Sequence, residues 1–184
     1  MATYLSNMET LKQREKVIIA VFGPANTGKS TAIMELAKHF PFEPKYELIF
    51  PEEESSDPLS DIVCKGFFTS KKTGQKLKLG ICSFGDYKSM LEDYFLPLVI
   101  DDHCDVIVVA CHNLIEVEGN TYNFIDEIAL KYNYRLISTS NLRDDYSRWE
   151  KCKLATSRNV SLVNDININE IFAENMINLI KSIV

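Results

Sequence analysis

Lys16–Thr31 reads Lys-Val-Ile-Ile-Ala-Val-Phe-Gly-Pro-Ala-Asn-Thr-Gly-Lys-Ser-Thr, and this stretch decides the fold. Lys16–Phe22 is a short apolar run rich in β-branched residues, the pattern of a buried strand. Gly23 ends it. From Gly28 to Phe40, the residues Ile33, Leu36, Ala37 and Phe40 recur at helical spacing, and Pro41 and Pro44 stop the helix. A strand that turns through glycines into a helix aims backbone N–H groups and the positive end of the helix dipole at one spot. That arrangement is an anion cradle.

The turn itself, Gly23-Pro24-Ala25-Asn26-Thr27-Gly28-Lys29-Ser30, fits G-x-x-x-x-G-K-[ST], the P-loop pattern. Gly23 lets the chain turn sharply off the strand, and Gly28 lets backbone N–H groups approach phosphate oxygens. Lys29 supplies a point charge for the β- and γ-phosphates, and Ser30 offers a hydroxyl to Mg²⁺. A chance match in a chain of this composition is ~1% or less. The expected nucleotide-binding residues are Gly23, Pro24, Ala25, Asn26, Thr27, Gly28, Lys29, Ser30 and Thr31.

Working outward, strands and helices alternate. Tyr46–Phe50 reads as a strand and Pro51–Asp61 as an acidic loop. Ile62–Ser70 and Gln75–Phe84 form a hairpin around the turn Lys71–Gly74. Tyr87–Ile100 is a helix that Pro97 should kink or divide. Asp105–Ala110 is the most strand-like run in the chain. Asn120–Tyr132 is a helix, Arg135–Ser138 and Asn159–Val163 are strands, and a helix from Asn167 closes the chain. In that last helix Ile168, Ile171, Phe172, Met176, Leu179, Ile180 and Ile183 recur every three or four residues. The predicted fold is an α/β sandwich in three layers. Its central sheet is mostly parallel with one antiparallel edge strand, helices cover both faces, and residues 1–184 form one domain.

Composition agrees with a globular chain. Of 184 residues, 46% are hydrophobic and 25% charged, with a formal net charge of -6. Residues 43–61 hold seven acids against Lys45 alone, so the excess acidity is concentrated in one segment. Nucleic acid is not an expected partner, since phosphate-backbone binding needs clustered Lys and Arg. The five cysteines are odd in number and irregularly spaced, which reads as reduced thiols in a cytoplasmic protein. The apolar run Val106–Cys111, which none exceeds, falls far short of the roughly 18 residues of a membrane span, and no targeting segment is evident.

The chain resembles the P-loop NTPase superfamily. Residues 16–31 carry the likeness, and the αβ layout extends it in coarse form. The form G-x-x-N-x-G-K-S-T, with Asn26 and Thr31, looks like the loop of ribosome-assembly and tRNA-modification GTPases. The hairpin is similar to the antiparallel strand pair of small GTPases. Two GTPase signatures are absent. The tetrad ending in Gly85 is Cys82-Ser83-Phe84-Gly85 where that family has Asp-x-x-Gly. Cys111-His112-Asn113-Leu114 stands where guanine-reading N-K-x-D would be. ATP is therefore the default over GTP, with Mg²⁺.

A metal-ordering acid belongs at the carboxyl end of a strand neighbouring the loop. Asp86 fits best, and its rival reading is an N-cap for the helix at Tyr87. Asp105 sits at the wrong end of its strand. Glu52, Glu53 and Glu54 are candidates that read more simply as a solvated loop. His112 ends a strand on the nucleotide side. A metal site shared by His103, Cys104, Cys111 and His112 fails on distance, because Cys104 and Cys111 flank one strand roughly 23 Å apart. Arg143, following a strand end, is the candidate to oppose transition-state charge, and Arg148 reads as part of a short lid helix, the rival reading of the stretch being a solvated loop; Trp149 reads as a core plug. The catalytic set is thus Lys29, Asp86 and Arg143, and the metal set Ser30 and Asp86. The readings open at this point are an ATP hydrolase, a small-molecule or nucleotide kinase, and a switch that binds a partner protein.

Overall fold

The sheet is built around Lys16–Phe22 (β1), whose side chains alternate between two apolar layers. Val17, Ile19 and Val21 pack on one face with Ala32, Ile33, Leu36 and Ala37 of Lys29–His39 (α1). Ala173, Met176 and Ile180 of Ile168–Ile183 (α4) complete that layer. Ile18, Ala20 and Phe22 pack on the other face. There they meet Leu91, Phe95, Leu98 and Val99 of the helix over residues 88–100 (α2), and Ile125, Ile128 and Ala129 of Thr121–Lys131 (α3). A strand buried on both faces must be apolar throughout, which is why β1 shows no polar alternation. Each such Ile or Leu contributes roughly 1.5–3 kcal/mol relative to leaving it in water. The result is the three-layer sandwich expected from the sequence.

The computed structural model describes residues 15–23, 28–50, 61–112, 121–140, 160–162 and 168–183. Its remaining strands are Glu47–Phe50 (β2), Val63–Thr69 (β3), Lys76–Cys82 (β4), Val106–Cys111 (β5), Tyr134–Ser140 (β6) and Val160–Leu162 (β7). The seven strands lie in the order β2-β3-β4-β5-β1-β6-β7. β1 pairs in parallel with β5 and β6, and the pairs β4–β5 and β6–β7 are also parallel. The antiparallel element lies near one edge: β3 runs against both β4 and β2, with β2 outermost. Because β3 is reversed, it begins at the edge where the parallel strands end.

Boundaries differ from the sequence reading where long-range pairing extends an element. β6 runs from Tyr134 to Ser140, three residues beyond the expected span in total, since all seven residues of β1 pair with it. β5 ends one residue later, at Cys111, opposite Phe22. Pro97 does not divide its helix. Lys88–Met90 is α-helical, Leu91–Phe95 is a π turn, and Leu96–Ile100 is α-helical again. The Leu96 N–H reaches back five residues to the Leu91 carbonyl. This wide turn just ahead of Pro97 accommodates a residue that has no N–H to give, so the helix continues through it. Among the described residues, no helix is long and apolar enough to cross a membrane.

Candidate functional site

The site is built where β1, β4, β5 and β6 end. Gly28 opens α1 with φ 80° and ψ 19°, a left-handed conformation that only glycine adopts without strain. Its carbonyl accepts the Ala32 N–H at 2.9 Å and closes the first helical turn. The N–H groups of Lys29, Ser30 and Thr31 therefore have no partner within the helix. No acid occupies that first turn and no side chain caps it. Lys29 is 6% exposed, and its ammonium acts on both Asp86 and Cys111. The Ser30 hydroxyl donates to the Ser83 carbonyl at 3.4 Å. Pro24, Ala25, Asn26 and Thr27 lie outside the described residues.

Asp86 reaches the site by a route the sequence did not disclose. Its strand, β4, is not a neighbour of β1, because β5 lies between them. The expectation of an acid on an adjacent strand is corrected to that extent. What carries Asp86 across is the segment Ser83–Asp86, which folds over the end of β5. At Gly85 a Cβ would fall 2.3 Å from the Ala110 carbonyl oxygen, so only glycine lets the backbone pass this close. Phe84 is buried and stacks on Tyr94 with ring centroids 4.3 Å apart, which anchors the segment on α2. Thr121, wholly buried, ties the crossing together. Its hydroxyl donates to the Gly85 carbonyl and accepts the His112 N–H, both at 2.7 Å.

His112 follows the carboxyl end of β5, and its Nε2 lies 2.6 Å from Asp86 Oδ1. The His112 hydrogen bond holds the Asp86 carboxyl below the usual carboxylate range against the opposing effect of burial. The charges of His112 and Lys29 add to that lowering. An ionised carboxylate only accepts, so Nε2 carries the shared proton. Asp86 does not cap a helix: α2 has Tyr87 at its N-cap, with no side-chain cap, and Asp86 is turned to His112. Asp86 remains 64% exposed in its side chain while His112 is 19% exposed, so the pair presents its carboxylate to solvent.

Other sequence candidates separate cleanly. Asp105 sits at the opposite edge, where its carboxylate accepts the Lys78 N–H at 2.8 Å and its carbonyl accepts the Val17 N–H at 2.9 Å. Arg135 is also at that edge, paired with Glu15 at 3.1 Å. Cys104 and Cys111 are buried at opposite ends of β5. Arg143, Arg148, Trp149, Glu52, Glu53 and Glu54 lie outside the described residues. The sequence reading missed Gly85, Thr121 and Ser83 as parts of the site. The signal for Ser83 was present, since a hairpin turning at Lys71–Gly74 sets Ile62 opposite Ser83.

Compared with protein-family models, curated proteins and solved structures, the chain matches none. A parallel α/β sheet binds ligands outside the carboxyl ends of its strands. At that edge this chain gathers a helix N-terminus, a buried lysine, a serine hydroxyl and a carboxylate–histidine pair. Together they suit an anionic ligand with several oxygens beside a hard cation.

Proposed function

We propose that this chain is a P-loop NTPase that binds a nucleoside triphosphate with Mg²⁺, ATP by default, and hydrolyses its γ-phosphate. The observation that carries the reading is Gly28 in a left-handed conformation opening α1, with Lys29 buried behind it and Asp86 within reach of that charge. The chemistry of the donor set fits Mg²⁺, which prefers hard oxygens and is held by one or two carboxylates together with phosphates and water. Ser30 and Asp86 would hold it, directly or through water. When bound, the cation neutralises charge on the phosphate oxygens.

The chain's own groups account for the rest. The N–H groups in the first turn of α1 and the helix dipole bind the phosphates. Lys29, being shielded from water, stabilises charge on the β- and γ-oxygens more than a surface lysine could. His112 fixes the direction of the Asp86 carboxylate, and Thr121 fixes His112. In the transfer, a water oxygen bonds to the γ-phosphorus while the bond from phosphorus to the bridging oxygen breaks. The nucleoside diphosphate leaves with that electron pair, and the water's protons pass to solvent.

Thermal-shift measurements with ATP, ADP and GTP, with and without Mg²⁺, test the reading. Wild-type protein should be stabilised by MgATP, and Lys29→Ala should lose that stabilisation. Equal melting with and without every nucleotide would sink the proposal.

A further inference from the structure

The Ser30 hydroxyl contacts the start of the strand crossing that leads to Asp86. It faces Ser83, the first residue of that crossing, whose carbonyl oxygen is 3.4 Å away. Ser83 is 2% exposed and is held from three directions. Its N–H donates to the Ile62 carbonyl at 2.9 Å, and its Oγ accepts the Ile62 N–H at 2.7 Å. A hydroxyl has one proton to give, and Ser83 gives it to Asp61 Oδ1, at 2.7 Å. The register Val63 opposite Cys82 makes this possible, since a reversed β3 begins where β4 ends.

We propose that Asp61, oriented by Ser83, is the positioning carboxylate for the Ser30 side of the cation site. It rests on the nucleotide reading above. Asp61 accepts from Ser83 at one oxygen, and the other would be available to the water shell of a Mg²⁺ held by Ser30. The two acids divide the site. Asp86 stands with His112 near Lys29, and Asp61 stands with Ser83 near Ser30. This also gives the acid-rich segment 43–61 one member with a defined task, just ahead of β3. Groups that orient a metal's inner ligands typically change metal affinity about 10–100-fold when removed.

Asp61→Asn separates this role from simple stapling of the hairpin. Asn retains an oxygen to accept the Ser83 hydroxyl but removes the charge. The variant should melt close to wild type without ligand. Its Mg²⁺ midpoint for ATP-induced stabilisation should rise about tenfold or more, while metal-free ATP affinity stays the same. Asp61→Glu should recover much of the loss. If Asp61→Asn does not fold, Ser83→Ala carries the same test, retaining the charge and removing what orients it, with a raised Mg²⁺ midpoint again expected. An unchanged midpoint, in a protein whose ATP response is abolished by Lys29→Ala, overturns the role of Asp61 and leaves the nucleotide reading standing. An ATP response indifferent to Lys29→Ala overturns both.

Discussion

Thr121→Val isolates the hydrogen bonds that assemble the site. The two side chains have nearly the same volume, share β-branching and have similar helix propensity, so packing and α3 are little disturbed. What is lost is one hydroxyl that is wholly buried and doubly engaged, accepting from His112 N–H and donating to Gly85 C=O, both at 2.7 Å. Each buried group left without a partner costs about 1–3 kcal/mol. The two together should cost about 2–4 kcal/mol once local relaxation is allowed. For a chain of this size 1 kcal/mol moves Tm by about 2–4 °C, so Tm should fall by roughly 5–15 °C. Thr121→Ser retains the hydroxyl and gives up a methyl, at a cost of about 1 kcal/mol. Urea unfolding gives the free energies, and amide hydrogen exchange at His112 locates them. The reasoning is refuted if Val melts within 1 °C of wild type, or if Ser is destabilised as much as Val.

Other outcomes follow from the same geometry. Gly28→Ala puts a side chain at φ 80°, which should cost about 1–2 kcal/mol by chemical denaturation and weaken nucleotide binding; unaltered stability and binding would contradict the cradle. Asp102 accepts Lys65 and Lys78 Nζ at 2.8 and 2.7 Å, and although burial is the largest single influence and raises its carboxyl, the two lysines together lower it. Its stabilising contribution is therefore present above the unfolded carboxylate value near 3.9 and is lost as pH falls through the lower folded value. Asp102→Asn should be destabilised at pH 7 and approach wild type near pH 2, and a constant gap across that range would contradict the assignment. Burial pushes the Cys64 and Cys104 thiols up to about 12, with Cys82 and Cys111 also raised. Mass spectrometry after mild alkylation at pH 8 should find these four unmodified in the folded protein, and labelling any of them before unfolding would contradict their burial.

The layers of this fold were legible because they are written locally. β1 is an unbroken apolar run, and the helices carry apolar stripes every three or four residues. Strand order is different. Nothing in the periodicity of β4 or β5 says that β5 inserts next to β1, since that choice depends on packing between distant segments. Asp86 was therefore identified at the correct edge but assigned to the wrong neighbour. The agents that bring it across are a glycine chosen for what it lacks and a threonine that resembles an ordinary helix cap. Neither has a local pattern that distinguishes its role. Asp61 is a separate lesson. Its place follows from hairpin register, which the turn at Lys71–Gly74 fixes, yet its position in a run of acids made it look like part of a solvated loop. That Pro97 leaves its helix undivided was not legible, because the wide turn before it forms from backbone freedom that no residue type announces.

The most direct test of the central claim is a map of backbone amide shifts as MgATP is added to the wild-type protein. Saturable changes should concentrate at Gly28, Lys29 and Ser30, extend to Ser83, Asp86 and His112, and disappear in Lys29→Ala. Saturable changes centred instead on the opposite edge, around Asp102, Asp105 and Arg135, or none at all, would contradict it.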